Sequence, residues 1–236
     1  MKKIITAVLG PSLDVVLPDG SRRPLNDYLI PSAIFTVAAL LLILSTFMPL
    51  WSMKMTAPQY PKGLRVDVFV NRIEGDVKEI DALNHYLGMA PLDSGGQLER
   101  SIALAAILSI GLLLAASVFV QSKWATLVVL PALLFPLIFV ADLYYILYEF
   151  GHSIDPKSAL GGAIKPFMPP IVGEGKVGQF GTIASFEIGF YIALLAALVI
   201  LIGLYFHRRA YKPVADAQKR LLEQKAAQTQ TPAVKA

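Results

Sequence analysis

The sequence predicts an all-α membrane protein with four transmembrane helices and a small α+β extracytoplasmic head made of two loops. Three observations support this prediction. The 236 residues are 55% hydrophobic and 16% charged, whereas a typical soluble domain is about 25% charged. Four apolar stretches each approach the ~20 residues that a bilayer-spanning helix needs. Two longer, more polar segments separate the first stretch from the second and the third from the fourth.

These stretches divide the chain into eight segments. Four segments are predicted to span the membrane: 31–52, 101–121, 124–149 and 182–207. The others are a leader (1–30), the two head loops (53–100 and 150–181) and a basic tail (208–236). Because basic residues beside a transmembrane helix favour the cytoplasm, the tail predicts that both termini are cytoplasmic and both loops extracytoplasmic. This topology is typical of a multi-pass membrane protein whose loops face a periplasm or the extracellular space. Trp51 is predicted to anchor the first span at the membrane interface.

The first loop predicts one strand and one short helix. LRVDVFVNRI, at 64–73, alternates apolar and polar residues as a half-buried strand does. VKEIDALNHYLGM, at 77–89, has apolar residues at helical spacing, and Gly88 is expected to end that helix. The EGD triplet at 74–76 predicts a turn between them. The second loop is rich in glycine and proline and predicts an irregular lid. Three apolar side chains are expected to hold this lid down: Phe167, Met168 and Phe180.

Composition and missing motifs exclude several classes of chemistry. The chain has no cysteine, which excludes disulfides, thiolate metal sites, iron–sulfur clusters and c-type haem attachment. No phosphate-binding G-x-x-x-x-G-K-[ST] loop is present, so ATP hydrolysis is not expected. The net charge of +4 resides largely in the tail, where membrane orientation explains it, so nucleic-acid binding is not expected.

Polar residues on the third span form a first candidate site. Asp142, Tyr145, Glu149 and His152 lie at i, i+3, i+7 and i+10, within about 80° of one another on a helix. Glu187, in the first turn of the fourth span, is predicted to lie on the same side of the membrane. Ionisable residues within spans often have functional roles. The cluster predicts either proton or ion handling, or a structural polar group at the ends of the helices.

Sulfur and imidazole side chains form a second candidate site, outside the membrane. The predicted metal ligands are Met53, Met55, His85, Met89 and His152. Thioethers and imidazoles without thiolates suit Cu(I) better than zinc or iron. The alternative is that the methionines fill apolar gaps and that His85 caps the short helix. A third group, Tyr60, Asn84 and Tyr86, is predicted to form a docking surface for a protein partner.

Two stretches of this sequence resemble a known group of proteins. One is APQYP-x-G-L…V-x-V…EGD-x-x-E-I-x-x-L-N-H-Y-L-G-M in the first loop, and the other is G-x-F-G-T-I-A-S-F-x-x-G-F-Y-I-A at the fourth span. Together they are similar to small four-helix bacterial membrane proteins associated with copper-dependent respiration, notably accessory proteins of the nitrous-oxide-reductase type. The resemblance implies an accessory subunit that serves the maturation, electron delivery or assembly of a copper enzyme. It supplies no catalytic motif.

The sequence therefore leaves three functions open. The first is a non-enzymatic membrane accessory protein that docks or handles metal for a respiratory or copper protein. The second is a structural subunit of a larger membrane complex with no ligand. The third is a small proton-coupled transporter or channel, which the carboxylates Asp142 and Glu187 would serve.

Overall fold

The computed structural model describes residues 14–16, 20, 22–117, 120, 124–159, 161–177 and 180–230. These residues form five α-helices: α1 (Asn26–Ser45), α2 (Val77–Leu87), α3 (Gln97–Ala116), α4 (Ala125–His152) and α5 (Ile188–Gln230). They also form seven β-strands: β1 (Asp14–Val16), β2 (Arg22–Pro24), β3 (Trp51–Ala57), β4 (Tyr60–Val68), β5 (Ile73–Gly75), β6 (Gly173–Val177) and β7 (Phe180–Phe186).

Four helices, α1, α3, α4 and α5, are long and apolar enough to cross a membrane. This confirms the prediction of a multi-pass membrane protein. The predicted boundaries shift at all four spans, and most at the first and the fourth. Helix α3 covers Gln97–Ala116 rather than 101–121, and α4 covers Ala125–His152 rather than 124–149. Helix α1 ends at Ser45 rather than at residue 52 because the chain turns into strand β3. Helix α5 begins at Ile188 rather than at residue 182 and continues to Gln230, so the described part of the basic tail extends the fourth span.

Helices α1 and α5 form the tightest pair in the bundle. Small residues at their interface, including Ala38 and Ala196, have no exposed surface. At Gly203 an added Cβ would come within 2.7 Å of the Phe35 ring, so α5 needs glycine there. Such close approach through small residues stabilises pairs of membrane helices by dispersion contacts. Helix α1 also packs on α3, and α4 packs on both α5 and α3, which closes the bundle.

The prediction of an all-α membrane protein with a small α+β head is confirmed only in part, because a five-stranded antiparallel sheet stands at one end of the bundle. Its strand order is β5-β4-β3-β7-β6, so strands from both loops share one sheet. The central strand β3 pairs with β4 from the first loop and with β7 from the second. The second loop is therefore not an irregular lid, since β6 and β7 form a hairpin within it. The predicted EGD turn is also wrong in part, because Glu74 belongs to strand β5 and pairs there with Asp67 of β4.

Trp51 joins this sheet to the helices instead of anchoring the chain at the membrane interface. It is only 3% exposed and packs with Leu143 and Leu147 of α4. Its indole Nε1 donates a hydrogen bond to the carbonyl oxygen of Ile171 in the second loop, at 2.6 Å. The side chain thus connects strand β3, helix α4 and the second loop, and the interface-anchor prediction is wrong.

Helix α2 covers one part of the sheet and ends as predicted. Ile80 and Leu87 are buried against residues of strands β3, β4 and β7. Gly88 ends the helix in a left-handed conformation, with φ of 76°. Its carbonyl oxygen accepts a hydrogen bond of 2.8 Å from the backbone amide of Asp155, so the end of α2 rests on the second loop. Of the side chains predicted to hold the second loop down, Phe180 is buried but Met168 is exposed.

Candidate ligand-binding cavity

A cavity of about 410 Å³ lies between the sheet, helix α2 and the facing sides of helices α3 and α4. It extends from the core of the head into the space between the two spanning helices. Most of its wall is apolar. Pockets of this kind, with a few polar groups among apolar side chains, are typical of small-molecule sites. This cavity is therefore the candidate functional site.

The sheet supplies one wall because its strands alternate in side-chain direction. Along β3, Trp51, Met53 and Met55 point to the cavity, whereas the residues between them do not line it. Val66 on β4 and Thr182 on β7 lie on the same face. The register places Met53 opposite Val66 on one side and Ala184 on the other. The pairing of strands from both loops therefore builds a continuous wall over the ends of the helices.

The two helices supply the opposite wall through residues at helical spacing. On α3, Ala103, Ala106 and Ile110 line the cavity at intervals of three and four residues. On α4, Phe135 and Phe139 do the same, one turn apart. Residues three and four apart share one helix face. The small alanines of α3 face the large aromatic rings of α4, and this combination leaves space between the two helices.

Two polar side chains of the head lie in this wall. Asn84 lies on the buried face of α2, is 5% exposed and lines the cavity. The hydroxyl oxygen of Thr182 is also buried and lacks a partner among the described residues. An unpaired buried polar group costs about 1–3 kcal/mol. Both groups line the cavity, where a ligand would satisfy them.

The start of α3 and the middle of α4 contribute charged groups to the cavity. Arg100 is 17% exposed at its side chain, and its Nη1 lies 3.4 Å from Oδ1 of Asp93. Its Nη2 donates to the backbone carbonyl of Asp93, while Nε is buried without a partner among the described residues. Glu99 and Asp142 both line the cavity, the first at the start of α3 and the second on α4. Within the described residues, no ion pair or hydrogen bond compensates Asp142.

The structure does not assemble the predicted polar cluster. Asp142 is half-buried and lines the cavity, but Tyr145 is 62% exposed and Glu149 is exposed. The exposed ring of His152 stacks on Tyr148 with a centroid separation of 3.9 Å. The prediction places five residues on one side of the membrane as a common site. Four of them lie on α4, but they do not come together in one site.

Glu187, the fifth member of the predicted cluster, belongs to the sheet instead. Its Oε1 accepts hydrogen bonds from the Ser52 hydroxyl at 2.6 Å and from Nη2 of Arg65 at 3.1 Å. Arg65 also donates from Nε to Asp67 at 2.9 Å, and that hydrogen bond raises the pKa of Arg65. These groups hold the start of α5 against strands β3 and β4, so Glu187 has a structural role.

The five predicted copper ligands are likewise separated. Met53, Met55 and Met89 line the cavity, but His85 and His152 are exposed and do not line it. Over the described parts of the chain, no group of three or more histidines and carboxylates is placed to hold a metal ion. The methionines pack as apolar side chains, with Met55 and Met89 in the core of the head.

The predicted docking surface is not one surface. Tyr86 is 64% exposed, whereas Asn84 is buried and faces the cavity. Tyr60 is half-buried against the core of the head. Residues two positions apart on a helix, such as Asn84 and Tyr86, point about 200° apart, to nearly opposite sides. Asn84 and Tyr86 therefore have different environments, one in the cavity and one in solvent.

Comparisons with family models, curated proteins and solved structures found no match to this chain. The resemblance to accessory proteins of copper-dependent respiration therefore stays a prediction, and the interpretation of the cavity rests on its own geometry.

Sequence reasoning missed Glu99, Arg100 and Thr182 as cavity residues. The sequence contained a signal for the first two, because a charged pair directly precedes the apolar run that begins at residue 101. Paired charges at the start of a span lie where the membrane interface meets a head domain. Thr182 could not be found in this way, because its place depends on the pairing of β7 with β3.

Replacing Asn84 with leucine is expected to stabilise the delipidated protein by up to about 1–2 kcal/mol, since it replaces an amide on the buried face of α2, in a mostly apolar cavity, with an apolar side chain of similar volume. Thermal unfolding in a lipid-free detergent would measure this change. Asn84→Asp provides the opposite control, because a buried charge without a partner is costly. A lower stability of Asn84→Leu than of the parent protein would show that the amide has a partner in the protein.

Proposed function

We propose that this protein holds an amphiphilic molecule from the surrounding bilayer in the cavity between its sheet and helices α3 and α4. In this proposal it is a non-enzymatic accessory protein of the bacterial inner membrane. The sheet faces the extracytoplasmic side and both termini face the cytoplasm. The observation that carries the proposal is the cavity itself, which is apolar between the helices and contains unpaired polar groups.

The apolar part of the cavity suits an alkyl chain. Its lining on α3 runs from Ile102 to Ile110, and its lining on α4 reaches Pro131. With a rise of about 1.5 Å per residue, the α4 face from Pro131 to Phe150 extends over roughly 28 Å. An elongated apolar molecule fits such a space better than a compact polar one. An empty apolar space would also forfeit dispersion contacts on all of these side chains.

The polar part of the cavity suits the headgroup of the same molecule. Arg100 and Glu99 lie in the first turn of α3, at the sheet end of that helix. Asn84 and Thr182 belong to the head itself. A ligand with one polar and one apolar end would satisfy these groups and would fill the space between the helices. A wholly apolar ligand would leave them unpaired, at a cost of about 1–3 kcal/mol each.

Quenching of Trp51 fluorescence by brominated lipids tests this function. Trp51 lines the cavity and is 3% exposed, so a bromine atom in an acyl chain reaches it by entering the cavity. The chain has two tryptophans, and Trp124→Phe leaves Trp51 alone. In this single-tryptophan protein, we expect fluorescence to fall as the fraction of brominated phospholipid in the bilayer rises.

A matched pair of variants on α3 controls this experiment. Ala103 lines the cavity, whereas Ala105, two residues further along the helix, does not. Ala103→Phe is expected to fill the space and to abolish most of the quenching, while Ala105→Phe leaves the quenching unchanged. Equal quenching in the two variants, or none in the parent, would contradict the proposed function.

A second role, docking to a respiratory or copper protein, is favoured by the outer face of α2. His85 is exposed there beside Tyr86. Aromatic side chains are enriched at protein interfaces. If this face contacts a partner, a His85→Ala, Tyr86→Ala variant should lose proteins that co-purify with the parent in mild detergent. Lys78→Ala, on an exposed residue of the same helix, serves as the control.

A further inference from the structure

We propose that the ligand is a phospholipid whose headgroup carries both an ammonium and a phosphate, as phosphatidylethanolamine does. Asp142 and Glu99 hold the ammonium, and Arg100 donates to a phosphate oxygen. This inference rests on the proposed function, and it adds the chemical class of the ligand. It is argued from the charges in the cavity wall and from the hydrogen-bonding groups that lack a partner.

The two carboxylates call for a cation in the ligand. Asp142 is half-buried and Glu99 is exposed, and both line the cavity. No Lys, Arg or His within the described residues forms an ion pair with either carboxylate. A carboxylate that is partly removed from water, as Asp142 is, is stabilised by a cation beside it. A headgroup that is purely anionic would add a third negative charge and would be repelled.

Arg100 calls for an acceptor in the same ligand. Its two terminal nitrogens are directed to Asp93, at the end of the turn before α3. Of its other N–H groups, the one on Nε is buried and has no partner among the described residues. Guanidinium groups hydrogen-bond phosphate oxygens strongly, since both partners are charged. A simple alkyl amine would satisfy the carboxylates but would leave this donor unpaired.

Asn84 and Thr182 supply an independent sign that the cavity accepts a polar group. Both are more than nine-tenths buried and line the cavity. The hydroxyl of Thr182 also lacks a hydrogen-bond partner among the described residues. An amide and a hydroxyl can each donate and accept hydrogen bonds. They suit the uncharged oxygens of a phospholipid, such as its ester carbonyls.

The carboxylates are expected to bind three phospholipid headgroups with different affinities, because the headgroups differ in charge and in N–H donors. A primary ammonium has three N–H donors. Hydrogen bonds between ionised partners are roughly twice as strong as neutral ones. The quaternary nitrogen of phosphatidylcholine has the same charge but no N–H donor, and phosphatidylglycerol has no cation. The expected order of affinity is therefore phosphatidylethanolamine, then phosphatidylcholine, then phosphatidylglycerol.

The test uses the full-length single-tryptophan protein in phosphatidylcholine bilayers. Brominated phosphatidylethanolamine, phosphatidylcholine or phosphatidylglycerol with identical acyl chains is added at increasing mole fraction. The association constant of each lipid, relative to phosphatidylcholine, is obtained from the quenching of Trp51. We expect phosphatidylethanolamine to associate at least fivefold more strongly than phosphatidylcholine, and phosphatidylglycerol to associate more weakly than either.

Variants assign this preference to the charged groups. Asp142→Asn is expected to reduce the preference for phosphatidylethanolamine to less than twofold while quenching by phosphatidylcholine persists. Glu99→Gln, a change at an exposed position, should give a smaller loss in the same direction and provides a second variant if the first one fails to fold. Arg100→Lys should lower the maximum quenching of Trp51 by all three phospholipids while leaving their relative association constants unchanged, because each of them carries a phosphate.

The outcomes separate the two proposals. Equal association of the three lipids, with quenching still sensitive to Ala103→Phe, would overturn the headgroup assignment and leave the proposed function standing. A preference for phosphatidylethanolamine that survives both Asp142→Asn and Glu99→Gln would overturn the roles of these carboxylates. Absence of quenching by all three lipids in the parent protein would overturn the proposed function itself.

Discussion

Replacing Trp51 with alanine is expected to lower the free energy of unfolding by about 3–5 kcal/mol, the range for deleting a large aromatic side chain from a core. Trp51 is buried between β3 and α4 and donates a 2.6 Å hydrogen bond to Ile171 in the second loop. Its loss would therefore loosen the contact between the sheet and the helices. Thermal unfolding in detergent should show a melting temperature about 6–20 °C lower, from the usual 2–4 °C per kcal/mol for chains of this length.

Trp51→Phe provides the graded control for this prediction. Phenylalanine keeps most of the buried aromatic surface but cannot donate to the Ile171 carbonyl. Loss of that hydrogen bond should cost about 1–3 kcal/mol, because the buried acceptor is left unpaired. A loss below 1 kcal/mol for Trp51→Ala would contradict the role assigned to Trp51 as the connection between the head and the bundle.

Replacing Gly88 with alanine is expected to cost between about 2 and 5 kcal/mol, from left-handed backbone strain together with overpacking. The φ angle of Gly88 is 76°, and an added Cβ would lie 2.6 Å from the carbonyl oxygen of Asp155 and would overlap the Ser158 hydroxyl. Helix α2 would then have to move away from the second loop. Limited proteolysis of that loop, together with thermal unfolding, would measure the change.

Gly173 offers a matched control for the backbone part of this cost. It also has a positive φ, 97°, but an added Cβ there would meet no atom within 4 Å. Gly173→Ala should therefore cost only the about 1–2 kcal/mol of left-handed strain. If both variants lose the same stability, the close packing of α2 on the second loop contributes nothing, contrary to this account.

The spanning helices could be predicted because the bilayer imposes one strong requirement. A span must be apolar over about 20 residues, and runs such as FTVAALLLIL at 35–44 satisfy it without reference to the rest of the fold. The exact ends could not be predicted, since Ser45 and Ile188 border strands that depend on tertiary pairing. The short helix ending at Gly88 could be predicted from local spacing and its terminal glycine.

The sequence contains a signal for the sheet, but it lies at the predicted boundaries between spans and loops. WSMKMTA, at 51–57, and FGTIASF, at 180–186, both alternate in burial as half-buried strands do. The sequence prediction places residues 51–52 at the end of the first span, residues 53–57 in the first loop and residues 182–186 at the start of the fourth span. Their pairing joins residues more than a hundred positions apart. Local patterns cannot establish such a pairing, which explains why the composite sheet was missed.

The cavity depends on the same long-range pairing. Asp142 and Asn84 could be identified as notable residues from the sequence, but not as members of one site. Their relation follows from the placement of α2 against the sheet and of the sheet against α4. Conversely, both histidines of the predicted copper site are exposed. Of the predicted pair His85 and Met89, only Met89 lines the cavity.

Native mass spectrometry of the intact protein tests the central claim most directly. The full-length chain would be released from bilayers containing equal parts of phosphatidylethanolamine and phosphatidylglycerol, and the mass of any retained lipid would be measured. We predict one retained phospholipid per chain, mainly phosphatidylethanolamine, in the parent protein and in Ala105→Phe, with loss of this lipid in Ala103→Phe. Lipid-free parent protein, or equal retention in both phenylalanine variants, would contradict the claim that the cavity between the sheet, α3 and α4 is a lipid-binding site.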